Sequence, residues 1–176
     1  MTHYRRNRVA GGTYFFTVKL ANPKLRLLTE HIDLLREAYA HVQKRYPFET
    51  VAICILPNHL HAVWTLPESD DDYSLRWRLL KTRFSSHFGA AKQRSASKQK
   101  RHEKGIWQRR FYEHTIRNDE DLSRCVDYVH FNPVKHGWAR QVKGWPYSSF
   151  HRFVQTGKLP ADWAGSAVIA DMDFGE

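Results

Sequence analysis

The chain is poor in cysteine, has no long apolar run and lacks a glycine-rich phosphate loop, and each lack removes a class of function. Only Cys54 and Cys125 occur among 176 residues, with no CxxC spacing, so neither a disulfide framework nor a zinc knuckle is indicated. Both lie in apolar patterns and read as buried small hydrophobes. No stretch approaches the roughly 18 apolar residues of a membrane span, so no membrane partner is expected. Residues Met1 to Arg8 are basic, but no apolar region follows them. A signal peptide is therefore not indicated, and a cytoplasmic protein is expected. Without a P-loop pattern, nothing in the sequence calls for ATP. Internal repeats are missing too.

Acidic residues are outnumbered. Lys and Arg total 28 against 18 Asp and Glu, a net charge of +10, which points to polyanionic partners and to nucleic acid first. Aromatic residues make up 14%, six of them Trp, and offer flat surfaces for unpaired bases. An apolar share of 41% and a charged share of 26% suit a folded chain of one domain.

Periodicity sets out the elements. Thr13 to Leu20 is a β-branched and aromatic strand. Ile32, Leu35, Ala38, Tyr39 and Val42 recur at helical spacing over about 31–45. Two strands follow, Phe48–Leu56 and His59–Leu66, joined by a short turn at Pro57-Asn58. A second helix spans about Ser74 to Phe88, with Asp70 to Asp72 near its N-terminal end, where the dipole favours negative charge. Residues 89–105 read as a mobile basic loop, and 106–116 as a fourth strand. Asn118 is placed to cap a third helix whose stripe is Leu122, Cys125, Val126 and Val129. Pro133 is expected to push Asn132 out of helical geometry and to end that helix nearby. The order β-α-β-β-α-β predicts an α+β fold, a ferredoxin-like split βαβ sandwich. Its antiparallel sheet carries helices mainly on one face plus an appended C-terminal helix. Residues 1–153 form the expected domain, with a mobile basic loop at about 89–105, and 154–176 an acidic tail.

The turn Leu56-Pro57-Asn58 leads into His59-Leu60-His61. In a strand His59 and His61 point to one face and Leu60 to the other, into the core. Two imidazoles on one face begin a divalent-metal site. Eleven histidines would give such a pair roughly 0.7 times by chance, so the pair alone is weak. A second constellation, Asp127 to Val134, sets Tyr128 and Asn132 four residues apart, on one helix face if the last turn persists. Its residue types also fit a boundary aromatic and a helix stop.

Together these segments resemble the HUH-type single-tyrosine transposases, and more closely the REP-associated tyrosine transposases. The similarity runs through Gly-Gly-Thr-Tyr-Phe-Phe-Thr at 11–17, Leu-Pro-Asn-His-Leu-His at 56–61, Trp107 to Tyr112, Tyr-Val-His-Phe-Asn-Pro-Val at 128–134 and Trp-Pro-Tyr-Ser-Ser-Phe at 145–150. The resemblance implies Tyr128 as nucleophile, His59 and His61 as ligands of Mg²⁺ or Mn²⁺, and Asn132 in the place of a third ligand. It further implies cleavage and rejoining of single-stranded DNA through a 5′-phosphotyrosine at hairpin-forming repetitive extragenic palindromes of a bacterial genome. The expected setting is the bacterial cytoplasm, on nucleoid DNA. A non-catalytic DNA-binding protein on the same fold is the alternative, and an RNA-binding module a further one.

For DNA contact the candidates are Arg5, Arg6 and Arg8 as an N-terminal arm and Lys92, Arg94, Lys98, Lys100, Arg101 and Lys104 from the basic loop, with Arg109 and Arg110 on alternating faces of the fourth strand. Trp107, Tyr112 and Trp145 are candidates for base stacking or for the core. His114, His130, His136 and His151 read as structural. The acidic tail, 161–176, is a candidate to dock on the basic surface in place of DNA. The short link at Arg117-Asn118 favours a monomer, with Tyr128 reaching its own histidine pair, over a homodimer.

Overall fold

The computed structural model describes residues 6–91, 94–101, 103–165 and 174–175. Strand β1 (Thr13–Lys19) is followed by a one-turn helix, α1 (Leu27–Glu30), and by α2 (Ile32–Arg45). Strands β2 (Glu49–Ile55) and β3 (His59–Thr65) form the hairpin, and α3 (Tyr73–Ser86) crosses back over the sheet. After α4 (Ala96–Lys100) come β4 (Tyr112–Thr115), α5 (Asp119–Lys135) and α6 (Phe150–Gln155). Strand order is β2-β3-β1-β4 with every neighbouring pair antiparallel. This is the split βαβ arrangement expected from the element order.

Central strands β1 and β3 bury both faces, so their alternation sorts apolar residues between two cores. Tyr14, Phe16, Val18, Leu60, Ala62 and Trp64 face α2 and α3. Phe15, Ala52, Cys54 and Val63 face α5. Trp64 stacks on Trp77 of α3 at 4.0 Å between ring centroids, a pair worth about 0.5–1.5 kcal/mol beyond its buried area. Asp72 caps α3 by accepting from Leu75 N at 3.0 Å. The neighbouring Asp70 carboxylate pairs at 2.7 Å with Arg76, which is itself buried.

The segment 145–150 lies along the outer edge of β2. Ile55 N donates to Tyr147 O, Ser149 N to Ile53 O, and Trp145 Nε1 to Ile55 O. Backbone groups that an edge strand would expose are thereby paired, so Trp145 serves the scaffold.

Several elements differ from their sequence-based expectation, among them α1 and α6, which were not anticipated. Ser95 caps the short helix α4 inside the segment read as loop. The fourth strand is interrupted: Ala21 N donates to Ile106 O and Gln108 N to Lys19 O, then the chain leaves the ladder and rejoins it at Tyr112. Arg109 and Arg110 therefore precede β4 and do not alternate across it. Finally, α5 runs through Pro133 to Lys135. The steric bias of a pre-proline residue is outweighed by burial of Tyr128, Val129, Asn132 and Pro133 against the sheet. Asn132 thus stays helical.

Candidate active site

His59 and His61 lie on β3, opposite Lys19 and Thr17 of β1. Their ring centroids are 5.0 Å apart and both residues are buried. Each imidazole is oriented through Nδ1. Asn58 Oδ1 sits 2.6 Å from His59 Nδ1, while Asn58 Nδ2 donates to Pro23 O, which fixes the amide's orientation. Thr17 Oγ1 sits 2.9 Å from His61 Nδ1 and gives its own proton to Phe174 O at 2.7 Å. Both oxygens must then accept from a protonated Nδ1, which makes Nε2 the basic nitrogen of each histidine. Metal-binding imidazoles are commonly held this way, with the non-ligating nitrogen bonded to a neighbouring oxygen.

Helix α5 brings the other components. Asn118 accepts from Asp121 N at 2.9 Å, and Asp119, Glu120 and Asp121 occupy the first turn. Tyr128 is fully buried, 5.4 Å from His61 and 5.8 Å from Phe15 between ring centroids. One turn on, Asn132 donates through Nδ2 to Tyr128 O at 3.2 Å. Its Oδ1 is buried with no hydrogen-bond partner among the described residues. A buried amide oxygen without a donor costs about 1–3 kcal/mol, so its presence fits a cationic ligand. Two imidazole nitrogens and one amide oxygen suit a divalent ion that keeps open positions for substrate. Residues 128, 132 and 135 form one stripe of the helix at i, i+4 and i+7. Lys135 Nζ donates to the Tyr128 hydroxyl at 3.1 Å. Beyond it, His136 meets His59 at 4.9 Å between centroids.

The family of IS200-like transposases matches residues 16–132. A REP-associated tyrosine transposase of Escherichia coli is 47% identical over 176 residues, covering 100% of this chain and 98% of that one. This chain belongs to the REP-associated tyrosine transposases. A relative in Haemophilus influenzae is 50% identical over 167 residues, 94% of this chain and 95% of its own. The structure of a REP-associated tyrosine transposase bound to a REP hairpin matches with a TM-score of 0.87 at 46% identity, over 100% of this chain and 98% of that one. Family membership makes the protein a transposase. No helix among the described residues is long and apolar enough to cross a membrane.

Within this transposase the basic residues divide by what they touch. Arg6 pairs with the buried Glu113 at 3.2 Å and lies 3.9 Å over the Phe111 ring. Arg8 pairs with Asp71 and Asp72. Lys104 donates to Ser85 O, Ser86 O and Phe88 O, closing the C-terminal end of α3. Arg109 is held by Glu103 and Ser97, and Arg94 donates to Glu103 O. Lys100, Arg101 and Arg110 are exposed and Lys98 half-buried. Arg5 and Lys92 lie outside the described residues, as do Asp171, Asp173 and Glu176 of the tail.

Several residues that the fold places near the candidate site or beside α3 were not assigned from the sequence. Arg78 and Lys81 join Arg101, Lys104, Trp107 and Arg109 around a cavity of about 640 Å³ beside α3. Burial pushes Lys81 down to about 8. Thr17, Asn58 and Lys135 were likewise unassigned. Phe174 sits 4.9 Å from both Phe15 and Tyr128 between ring centroids, so this residue lies against the candidate nucleophile. His114, Asp121 and Cys125 place donor atoms within 4.8 Å of one another, with His114 and Asp121 already joined at 2.9 Å. Burial raises both thiols, that of Cys125 to about 12. His130 packs against Phe153 and bonds to Ser149, away from the histidine pair.

Proposed function

We propose that this protein cleaves and rejoins single-stranded DNA at hairpin-forming palindromes, with Tyr128 as nucleophile and a 5′-phosphotyrosine as intermediate. The observation that carries this reading is the meeting of Tyr128 and Asn132 on α5 with His59 and His61 on β3. All four are buried in one chain, with Tyr128 5.4 Å from His61 and His59 5.0 Å from His61 between ring centroids. That single-chain assembly also supports a monomer acting in cis.

His59, His61 and Asn132 are the residues that would hold Mg²⁺ or Mn²⁺. Such an ion, when bound, polarises the scissile phosphate and offsets charge in the transition state. The protein's own contribution is orientation. Asn58 and Thr17 keep each histidine lone pair turned inward, and the rigid stripe of α5 fixes the phenol beside it. An in-line attack needs reacting atoms held near 3–3.5 Å, and pre-positioning of this kind lowers the barrier by several kcal/mol. The hydrophobic wall of Phe15 and Val63 excludes water that would otherwise hydrolyse the phosphotyrosine.

Hairpin DNA is the proposed partner, by similarity to the relative whose structure holds a REP hairpin. Lys98, Lys100, Arg101 and Arg110, with Arg78 beside the α3 cavity, are the proposed phosphate contacts. They would position DNA without reading its sequence.

The test incubates the protein with labelled single-stranded REP hairpin and Mg²⁺ or Mn²⁺, alongside Tyr128→Phe. A denaturation-resistant adduct that is lost in Tyr128→Phe and in chelator is the expected result. Hairpin binding that survives chelator, with no adduct from the wild type, would replace this reading with a non-catalytic DNA binder.

A further inference from the structure

Lys135 is the last residue of α5, where a lysine commonly serves the helix dipole by approaching the terminal carbonyls. Its ammonium instead reaches back two turns. Nζ donates to the Tyr128 hydroxyl at 3.1 Å and stands 4.7 Å from the centre of that ring. An ammonium has only donors, so the phenol oxygen accepts from it and the phenol's own proton is directed elsewhere. Tyr128 is fully buried and Lys135 half-buried. The contact therefore lies in a medium where a fixed charge acts more strongly than in water.

We propose that Lys135 is a catalytic residue, stabilising the negative charge that gathers on the Tyr128 oxygen during strand cleavage and rejoining. The inference rests on the reading of Tyr128 as nucleophile. In cleavage a bond forms between the Tyr128 oxygen and phosphorus while the bond from phosphorus to the 3′-oxygen breaks. The phenolic proton leaves through solvent, and the released 3′-oxygen ends as a hydroxyl. No oxidant, reductant or nucleotide is consumed. In rejoining, the phenol oxygen departs and carries the same charge. One ammonium placed at this atom lowers both barriers.

The test is single-turnover cleavage of a REP hairpin oligonucleotide with Mn²⁺, followed by rejoining of the isolated adduct with a strand bearing a free 3′-hydroxyl. Lys135→Met is expected to slow both steps about 10²–10³-fold, the usual loss of one preorganised donor to a developing oxyanion. Hairpin affinity should stay within about twofold, because the effect belongs to the transition state. Lys135→Arg should recover at least about tenfold of the lost rate, and Lys135→Gln less. A purely structural lysine would lower thermal stability in all three variants without this graded rate order. Cleavage by Lys135→Met within about threefold of wild type, or a loss confined to hairpin affinity, overturns the proposal. An adduct that persists in Tyr128→Phe, or none from wild type, overturns the nucleophile assignment and this inference together.

Discussion

Thr17→Val is the most informative perturbation of the histidine pair, since it changes shape little and removes one hydroxyl. That hydroxyl accepts from His61 Nδ1 at 2.9 Å in a fully buried setting. Without it, the imidazole has two options. It keeps the Nδ1 proton and leaves a buried donor unpaired, at about 1–3 kcal/mol. Alternatively it moves the proton to Nε2 and loses the lone pair that faces the site. Either way the ligating form becomes rarer. Loss of the oxygen that orients a ligating imidazole typically weakens metal binding about 10–100-fold, equivalent to about 1.4–2.7 kcal/mol. The assay is adduct formation on hairpin DNA as a function of Mn²⁺ concentration. The half-saturating Mn²⁺ should rise by that factor, while Thr17→Ser stays close to wild type. Thr17 also donates to Phe174 O, a bond that Thr17→Val removes as well and Thr17→Ser keeps. An unchanged half-saturating concentration in Thr17→Val would refute the tautomer argument.

Asn132→Asp puts an anionic oxygen where the amide Oδ1 has no donor among the described residues. It should lower the half-saturating Mn²⁺ by about tenfold, and the metal-free variant should melt earlier in a thermal scan because it buries a carboxylate. Phe174→Ala removes the ring that packs on Tyr128 and Phe15. If the tail competes with DNA for the nucleophile, adduct formation should speed up several-fold, within the roughly tenfold that 1.4 kcal/mol of released contact allows. An unchanged rate would dismiss that competition. Burial, aided by Arg152 and His151, pushes His130 down to about 3, whereas its unfolded value is about 6.5. Unfolding therefore takes up a proton below pH about 6.5, and the stability held above that pH is lost progressively as pH falls toward 3. In thermal melts His130→Asn should flatten this decline.

What could be read from the chain was governed by how local its cause is. Strand alternation is a property of neighbouring residues, so the shared face of His59 and His61 and the inward turn of Leu60 were legible. The i, i+4 relation of Tyr128 and Asn132 was legible for the same reason, and Lys135 at i+7 could have been found by extending the stripe one more turn. Pro133 misled because its local steric rule competes with the burial of a whole helix face, and burial prevailed. Thr17 and Asn58 were missed because their roles depend on which residue of β1 or of the turn comes to lie beside each imidazole. Cross-strand register is not written in any single segment. Which basic side chains are engaged within the chain was illegible for a similar reason. Charge is visible in sequence, but the carbonyls around Lys104 and the carboxylate beside Arg109 are supplied by the fold. The aromatic run at 106–116 has strand composition, yet its middle leaves the ladder because Phe111 packs against the α2 and α3 core.

The central claim is that the buried phenol of Tyr128 takes the DNA strand. It is tested most directly by mass spectrometry of protein digested after reaction with REP hairpin DNA and Mn²⁺. A nucleotide-bearing peptide whose modified residue is Tyr128 is the outcome the active-site geometry requires. Linkage at another residue, or only unmodified Tyr128 from a sample that has cut its DNA, would contradict it.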